Sequence, residues 1–318
     1  MASSHPVIVV GSVSADVTAF ADRSPAPGET MFGNAFSLAA GGKGANQAMA
    51  AARAGAETFF VACVGDDPFE AIVTDALTEA GVETRYVRQI PGEGTGIAHI
   101  RVDATTGENY IVIVPRANSR LSRDHVDAAI DEIGAVGGVL LTQLETPLDA
   151  GRHALARAHE AGLTVILDPA PAAAMPDEVW QTVDMVTPNE TEAAVLTGIA
   201  VTDRASAIRA GEWFVARGVA TALITMAGSG AVAVTREGAR EYEPFVVDAV
   251  DTTAAGDAFA GGLASALASG SDLDAAVRRA MATGAIAVTR VGAAPSIPTA
   301  AEVDAFLAEH SPRHPISR

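Results

Sequence analysis

Short runs of apolar residues recur along the chain, and each is bounded by glycine, proline or polar residues. Within a run nearly every position is apolar, rather than every second position. This pattern is typical of strands whose two faces are both buried, as in a parallel sheet. We predict such strands at Val7–Val10, Phe59–Val64, Val139–Thr142, Thr164–Leu167, Met185–Thr187 and Ala222–Thr225.

Between these runs the apolar residues follow a helical spacing, as in the stripe formed by Ala45, Ala48, Met49 and Ala52. Each predicted helix is followed by a glycine, which commonly ends a helix. Strands that alternate with helices predict an α/β sandwich around a mostly parallel sheet. The clearest helices are Lys43–Ala54 before Gly55, Pro68–Ala80 before Gly81, and Leu148–Ala161 before Gly162.

Two stretches interrupt this alternation. Residues 15–39 are irregular and contain prolines, whereas residues 94–114 read as two strands of alternating polarity, Ile97–Val102 and Asn109–Val114, joined by a turn at 104–107. Neither stretch is long enough for a domain of its own. We therefore expect the two stretches to form a small antiparallel lid beside the carboxyl edge of the main sheet.

The composition narrows the class of protein. The 318 residues contain neither an internal repeat nor a charged linker, so we predict one domain over residues 1–310 and a mobile tail at 311–318. The net charge of −18 argues against nucleic acid and anionic membranes as partners. One cysteine excludes an internal disulfide. Without a secretion signal or a long apolar run, the protein is expected to be cytoplasmic.

Polar residues and glycines follow most of the predicted strands. In an open α/β sheet, ligands bind beyond the carboxyl ends of the strands, so these residues are candidates for a site. Taken singly, each of them also fits a helix cap or a turn. The segments are Gly11–Asp16, Gln143–Glu145, Asp168–Pro169, Pro188–Glu192 and Met226–Gly230.

The segment Gly41–Gln47 is rich in glycine and opens a helix. It is not a Walker A loop, because Ser37 stands where the first glycine belongs and Gly44 where the magnesium-binding Ser or Thr belongs. Paired glycines let a ligand approach the backbone closely. Asn46, in the first helical turn, is placed to hydrogen-bond a polyol, although an ordinary turn before a helix would show the same pattern.

The segment Asp251–Gly262 leads into an alanine-rich helix. Its small residues leave backbone N–H groups unobstructed at a helix N-terminus, which favours an anion. A carboxylate beside such a site, Asp257, suits the deprotonation of a hydroxyl during phosphoryl transfer. The alternative is that Asp257 only complements the helix dipole.

Three segments together resemble the ribokinase (PfkB) family of carbohydrate kinases. Gly41–Ala48 is similar to the family's first signature, Asp251–Asp257 to its second, and Pro188–Glu192 to its N-x-x-E element. The resemblance extends over about residues Val7–Ala308. It implies a three-layer α/β/α sandwich with a β lid, and the ATP-dependent phosphorylation of ribose to ribose 5-phosphate.

The resemblance also implies roles for individual residues and ligands. The general base would be Asp257, with the amides of Gly256 and Ala255 as the anion hole. The sugar would be held by Ser14, Asp16, Gly42, Lys43, Asn46, Glu145 and Asp257. ATP with Mg²⁺ would be held by Asn189, Glu192, Thr225, Gly228, Gly230, Gly256 and Met281. An activating K⁺ would be bound by Asp251, Thr253, Ala287, Arg290, Gly292 and Ser296. The resemblance further implies a homodimer through the lid.

Two departures from the family's pattern bear on the substrate. Ser14 stands where asparagine is usual, and it has fewer hydrogen-bonding groups. Arg116 follows a lid strand, where a guanidinium would suit a sugar acid's carboxylate, although it could equally be solvated. The alternatives are therefore a kinase of the same family for 2-deoxyribose, a 2-keto-3-deoxy sugar acid or a nucleoside, and a non-enzymatic sugar-binding protein. The intact segment around Asp257 argues against the last.

Overall fold

Strands and helices alternate along most of the chain, as the sequence predicts. A computed structural model describes residues 5–106 and 108–310, so the predicted tail at 311–318 and Gly107 of the predicted turn lie outside the described residues. The strands are β1 Val7–Val10, β2 Ser14–Ala21, β3 Ala35–Gly41, β4 Thr58–Gly65, β5 Val82–Glu83, β6 Val87–Ile90, β7 Ile97–Asp103, β8 Asn109–Val114, β9 Val139–Thr142, β10 Thr164–Leu167, β11 Met185–Val186, β12 Thr221–Thr225, β13 Ala231–Thr235 and β14 Gly238–Tyr242. The helices are α1 Lys43–Arg53, α2 Phe69–Glu79, α3 Arg123–Ile133, α4 Leu148–Glu160, α5 Glu190–Thr197, α6 Arg204–Val215, α7 Ala255–Ala268, α8 Leu273–Ala287 and α9 Ala300–Glu309.

The main sheet is mostly parallel. Its strand order is β14-β13-β12-β11-β10-β9-β1-β4-β5, and β6 also pairs with β4. All pairings from β12 to β5 are parallel, whereas β13 and β14 form an antiparallel edge. The central strand β1 has Val7 opposite Thr58 on one side and Val139 on the other.

Both faces of this sheet are covered by helices, which explains why the strand runs are apolar throughout. Val7 and Val9 belong to the core shared with α1, α7 and α8. Ile8 and Val10 face the opposite way, into the core shared with α3, α4 and α6. Successive strand residues point to opposite faces, so a strand between two helical layers must be apolar at every position. The predicted three-layer sandwich is confirmed.

A second sheet of four strands forms the lid, in the order β3-β2-β7-β8. Two hairpins, β2–β3 and β7–β8, are antiparallel, and the second is the predicted one. The hairpins join through β2 and β7, which are parallel to each other. Both of these strands leave the same edge of the main sheet, after β1 and after β6, so they run in the same direction. The lid is therefore a mixed sheet made of two antiparallel hairpins.

The glycines after the predicted helices adopt the expected backbone conformation. Gly55, Gly81 and Gly162 have φ values of 100°, 84° and 75°, which side chains disfavour. None of the helices in the described part of the chain combines the length and hydropathy needed to cross a bilayer.

Candidate active site

The carboxyl ends of the parallel strands meet the start of α1 at one edge of the main sheet. The glycine-rich segment is needed there for close packing. Gly42 has a φ of 89°, and a Cβ at Gly44 would lie 2.6 Å from the carbonyl carbon of Gly11 at the end of β1. The glycines therefore let the start of α1 lie directly on the end of β1.

The helix α7 begins beside α1 for a similar reason. A Cβ at Gly261 would lie 2.5 Å from the Cβ of Ala50 and from the carbonyl oxygen of Gln47. Ala254 caps α7 with a left-handed φ of 58°, which turns the chain sharply into the helix. As a result, the first turns of α1 and α7 face each other, and Asp257 of α7 lies against the side chains of α1.

Three side chains of α1 converge on the Asp257 carboxylate, which is only 5% exposed. Asn46 Nδ2 donates to Oδ2 at 3.0 Å, and Gln47 Nε2 donates to Oδ1 at 3.1 Å. The Lys43 Nζ lies 3.9 Å from Oδ1. Burying a carboxylate is costly unless it is paired and hydrogen-bonded, and here donors satisfy both oxygens.

A cavity of about 190 Å³, which we call the helix-end cavity, opens at the start of α7. The Ala255 amide, which the family resemblance assigns to the anion hole, instead donates to the Thr252 carbonyl at 3.2 Å, so Gly256 and Asp257 supply the remaining first-turn amides. The Thr187 hydroxyl is buried without a protein partner among the described residues, as expected of a group that meets a ligand. The cavity is lined by Lys43, Asp168, Thr187, Asn189, Glu192, Thr225, Thr252, Ala254, Ala255, Gly256, Asp257 and Phe259.

The electrostatics of the helix-end cavity depend on two buried titratable side chains, Asp168 and Lys43. Burial raises the pKa of Asp168 to about 8, although Lys43 and a hydrogen bond from Gln47 oppose this shift. Burial alone would lower the pKa of Lys43, but the surrounding carboxylates, led by Asp257, outweigh burial and raise it. Lys43 therefore stays charged and partly offsets the acidic surroundings for an incoming anion.

A second cavity of about 160 Å³, the lid cavity, lies between the main sheet and the lid. Its apolar side comes from the lid strands and its polar side from the strand ends. The buried Oδ1 of Asn46 has no protein partner among the described residues. The lining residues are Ser12, Val13, Ser14, Asp16, Gly42, Lys43, Asn46, Ile97, Ala98, Ile100, Ile111, Ile113, Val114, Pro115, Asn118, Glu145, Thr253, Ala254, Asp257 and Ala293.

Two carboxylates hold fixed positions in the lid cavity. Glu145 accepts from the Ser12 hydroxyl at 2.5 Å and from the Lys43 amide at 3.1 Å. Asp16 accepts from the Ser14 hydroxyl at 2.7 Å. Burial raises the pKa of Asp16 to about 6, against the lowering effect of the Ser14 hydrogen bond. Carboxylate acceptors at these positions suit a ligand that offers several hydroxyl groups.

The two cavities meet at Asp257, which lines both of them together with Lys43 and Ala254. A hydroxyl in the lid cavity and an anion at the α7 amides would thus approach the same carboxylate from two sides. Such a site can remove a proton from a hydroxyl while helix amides stabilise charge on the group that the hydroxyl attacks.

Comparisons with known proteins agree with this geometry. Residues 4–300 match the pfkB family of carbohydrate kinases. The chain belongs to that family. It is 43% identical to a ribokinase of Haemophilus influenzae, with 95% of this chain and 98% of the relative covered, and 34% identical to a deoxyribokinase of Salmonella typhi over 95% and 98%. A ribokinase of Arabidopsis thaliana, solved with ribose and ATP, superposes with a TM-score of 0.88 at 31% identity, over 96% of this chain and 99% of that one.

The pfkB family's N-x-x-E element forms the N-terminus of α5. Asn189 caps the helix by accepting from the Glu192 amide at 2.9 Å, and Glu192 accepts in return from the Asn189 amide at 2.9 Å. Both residues line the helix-end cavity, as do Thr225 and Gly256. Gly228 and Gly230 lie in the turn after β12 and Met281 lies on α8, and none of the three lines either cavity within the described residues.

The residues that the family resemblance assigns to K⁺ come from two loops that touch. Asp251 joins the loops, because it accepts from Thr253 at 2.9 Å and from the Gly292 amide at 2.8 Å. Burial alone would raise the pKa of Asp251, but these hydrogen bonds hold it below its ordinary value. The Arg290 guanidinium is itself a cation and pairs with Glu302, so Arg290 can offer a cation only its backbone carbonyl. Ala287 and Ser296 are both buried.

Arg116 does not line the lid cavity, so the structure does not favour the expectation that it reads a sugar acid's carboxylate. Its guanidinium lies 3.2 Å from Asp67, packs against Gly94, and lines neither cavity within the described residues. Its backbone has a left-handed φ of 47° directly after β8. Ser14, in contrast, does line that cavity.

Sequence reasoning gave no individual role to four residues that the structure brings to the site, although the first three lie in segments named as candidates: Gln47, Gln143, Asp168 and Thr187. Asp168 and Gln143 follow predicted strands, so their position at the sheet edge was available as a signal. Gln47 ends the glycine-rich segment, but no local pattern indicates its bonds to Asp168 and Asp257, which lie 121 and 210 residues away in the chain.

Proposed function

We propose that this protein transfers the γ-phosphoryl group of ATP to the 5-hydroxyl of D-ribose, giving D-ribose 5-phosphate and ADP. The observation that carries the proposal is Asp257, a carboxylate shared by the lid cavity, where polar strand ends face the apolar lid, and a cavity at a helix N-terminus. Ribokinase relatives of 36–43% identity over most of the chain support the same reaction.

In the proposed reaction the sugar occupies the lid cavity. Asp16, Asn46 and Glu145 bind its hydroxyl groups, and the backbone at Gly42 and Lys43 lies beside it. Asp257 takes the proton of the 5-hydroxyl as the oxygen–phosphorus bond forms and the bond to ADP breaks. The Gly256 and Asp257 amides and the Lys43 ammonium offset the charge on the transferred group.

ATP would enter the helix-end cavity with Mg²⁺, and the residues present fit that complex. The oxygen donors of Asn189 and Glu192 and the unpartnered hydroxyl of Thr187 suit a hard cation and its phosphates. Held there, the metal ion would neutralise part of the charge on the phosphates. Gly228, Gly230 and Met281 are proposed to lie along the rest of the nucleotide.

We further propose that K⁺ binds between the two loops that Asp251 joins. Carboxylate, hydroxyl and carbonyl oxygens predominate there, and a large monovalent cation prefers such ligands. Thr253 also lines the lid cavity and Thr252 the helix-end cavity, so ordering this loop would shape both. The protein is proposed to work in the cytoplasm, where ATP is available.

A second candidate substrate is 2-deoxyribose, and Ser14 is the observation that favours it. The Ser14 hydroxyl already donates to Asp16, so it is less available to a sugar hydroxyl than an asparagine side chain would be. The 34% identical relative from Salmonella typhi is a deoxyribokinase. A site with one fewer hydrogen-bonding group for the sugar loses less binding free energy when the 2-hydroxyl is absent.

The function is tested by ADP release with MgATP and K⁺ across D-ribose, 2-deoxyribose, fructose, 2-keto-3-deoxygluconate and adenosine. We expect ribose to give the highest kcat/KM, by tenfold or more, and Na⁺ in place of K⁺ to lower the rate. Asp257→Asn keeps the shape of the side chain but not its basicity, so we expect kcat to fall by about 10²–10⁴. Activity of this variant near that of the wild type would refute the assignment of the base.

A further inference from the structure

Gln47 connects the two sides of the active site without facing either cavity. The side chain is completely buried. Its Nε2 donates to Asp168 Oδ2 at 2.6 Å and to Asp257 Oδ1 at 3.1 Å. One amide group thus holds the carboxylate shared by the two cavities and a carboxylate on the far wall of the helix-end cavity.

The orientation of this amide is fixed by its partners. A carboxylate that acts as a base only accepts hydrogen bonds, so the NH₂ group must face Asp257, and the same group then also donates to Asp168. The Oε1 of Gln47 accepts from Gln143 Nε2 at 2.6 Å. Gln143 is itself buried, and its amide packs against Gly11, where a side chain would collide with it. A flipped amide at Gln47 would therefore lose its bonds to Asp257 and to Gln143.

The neighbouring residue Asn46 has a different place in the site. It also donates to Asp257, but it lines the lid cavity and its Oδ1 is left for a ligand. Gln47 lines neither cavity, and each polar atom of its side chain is used within the protein. Its contribution to the reaction must therefore pass through Asp257 and Asp168.

We propose that Gln47 is a positioning residue, which locks Oδ1 of Asp257 and aligns the base with the group bound in the helix-end cavity. The inference rests on the proposed kinase function. Because misplacing a catalytic group by about 1 Å can cost about 10²-fold in rate, the amide should matter for kcat. It should matter little for sugar binding, because Asp16, Asn46 and Glu145 do not depend on it.

The test replaces the amide while keeping the length of the side chain. Gln47→Met removes both hydrogen-bond donors, and Gln47→Glu offers one donor at most, and only when protonated. We expect both variants to lose about 10- to 100-fold in kcat, with the KM for ribose and the Kd measured by calorimetry within about twofold of the wild type. Met49→Leu, on the same buried helix, controls for disturbance of α1 and should keep the wild-type kcat.

The inference is overturned if kcat stays within twofold of the wild type in both variants. It is also overturned if the loss appears in the KM and Kd for ribose, because that result means a disordered α1. Should neither variant fold, Gln143→Met removes only the donor that orients Gln47, and an unchanged kcat there would reject the proposal. If the wild-type protein is inactive on every sugar, the proposed function is rejected together with this inference. If the wild type is active and the variants are equally active, only this inference is rejected.

Discussion

At the scale of single residues, the pKa of Asp16 links sugar binding to pH. Asp16 must be a carboxylate to accept hydrogen bonds from sugar hydroxyls, and burial raises its pKa to about 6. Protonation therefore competes with binding as the pH falls through this value. The same shift means that the folded state binds more protons than the unfolded state. The contribution of Asp16 to the free energy of unfolding therefore falls as the pH rises from the ordinary pKa of an aspartate through about 6, and then levels off.

We expect the Kd for ribose, measured by calorimetry without ATP, to rise about tenfold between pH 7 and pH 5, since one pH unit below the pKa leaves about a tenth of the group ionised. Ser14→Ala removes the donor that stabilises the carboxylate, so the loss of affinity should begin at a higher pH. A Kd that stays constant from pH 7 to pH 5 in the wild type would show that Asp16 does not bind the sugar.

Residues differ in how far their place in the site could be predicted. Asp257 and Asn46 were predicted, because helix N-termini and glycine-rich segments mark their position in the sequence. The bond that joins them spans 211 residues, and no local pattern indicates it. The direction of Arg116 could not be predicted, because it depends on one positive φ after β8.

At the scale of secondary-structure elements, the contact between α1 and α7 positions the catalytic groups. Gly261 and Gly262 lie in the middle of α7, where glycine weakens a helix. A Cβ at Gly261 would collide with α1, and one at Gly262 would lie 2.8 Å from the Thr283 hydroxyl on α8. These glycines therefore permit three helices to pack closely beside the site.

We expect Gly261→Ala to lower the free energy of unfolding by about 1–3 kcal/mol, because it overpacks a rigid contact. Urea denaturation would measure the change. Gly151→Ala is the matched control, since Gly151 also lies inside a helix but its nearest neighbour to a new Cβ is 4.0 Å away. That control should be neutral or stabilising by up to about 1 kcal/mol. Equal effects at both positions would mean that the α1–α7 contact is not tight.

The main sheet could be predicted more fully than the lid. Strands such as β1, β9 and β10 were predicted with their observed bounds, because burial on both faces leaves an unbroken apolar run. The parallel pairing of β2 with β7 could not be predicted. It joins segments about 80 residues apart, and nothing within either hairpin specifies its partner.

At the scale of the whole molecule, the lid leaves an apolar edge exposed to solvent. All six residues of β8 are exposed, and five of them are apolar or aromatic. Such an unpaired edge strand invites pairing with another chain. Ile111 and Ile113 line the lid cavity, whereas Val112, on the opposite face of the strand, does not. We propose that a second copy of the chain covers this edge, forming a homodimer through the lid.

A charge placed on this outer face should separate the two copies. Sedimentation is expected to give a dimer of the 32.3 kDa chain for the wild type and a monomer for Val112→Glu, because burying an unpaired carboxylate costs several kcal/mol. Val136→Glu introduces the same charge at a position that is 64% exposed outside the lid, and it should remain dimeric. If the wild type is monomeric, or if Val112→Glu remains a dimer, then a second copy does not cover β8 and the proposed homodimer through the lid is wrong.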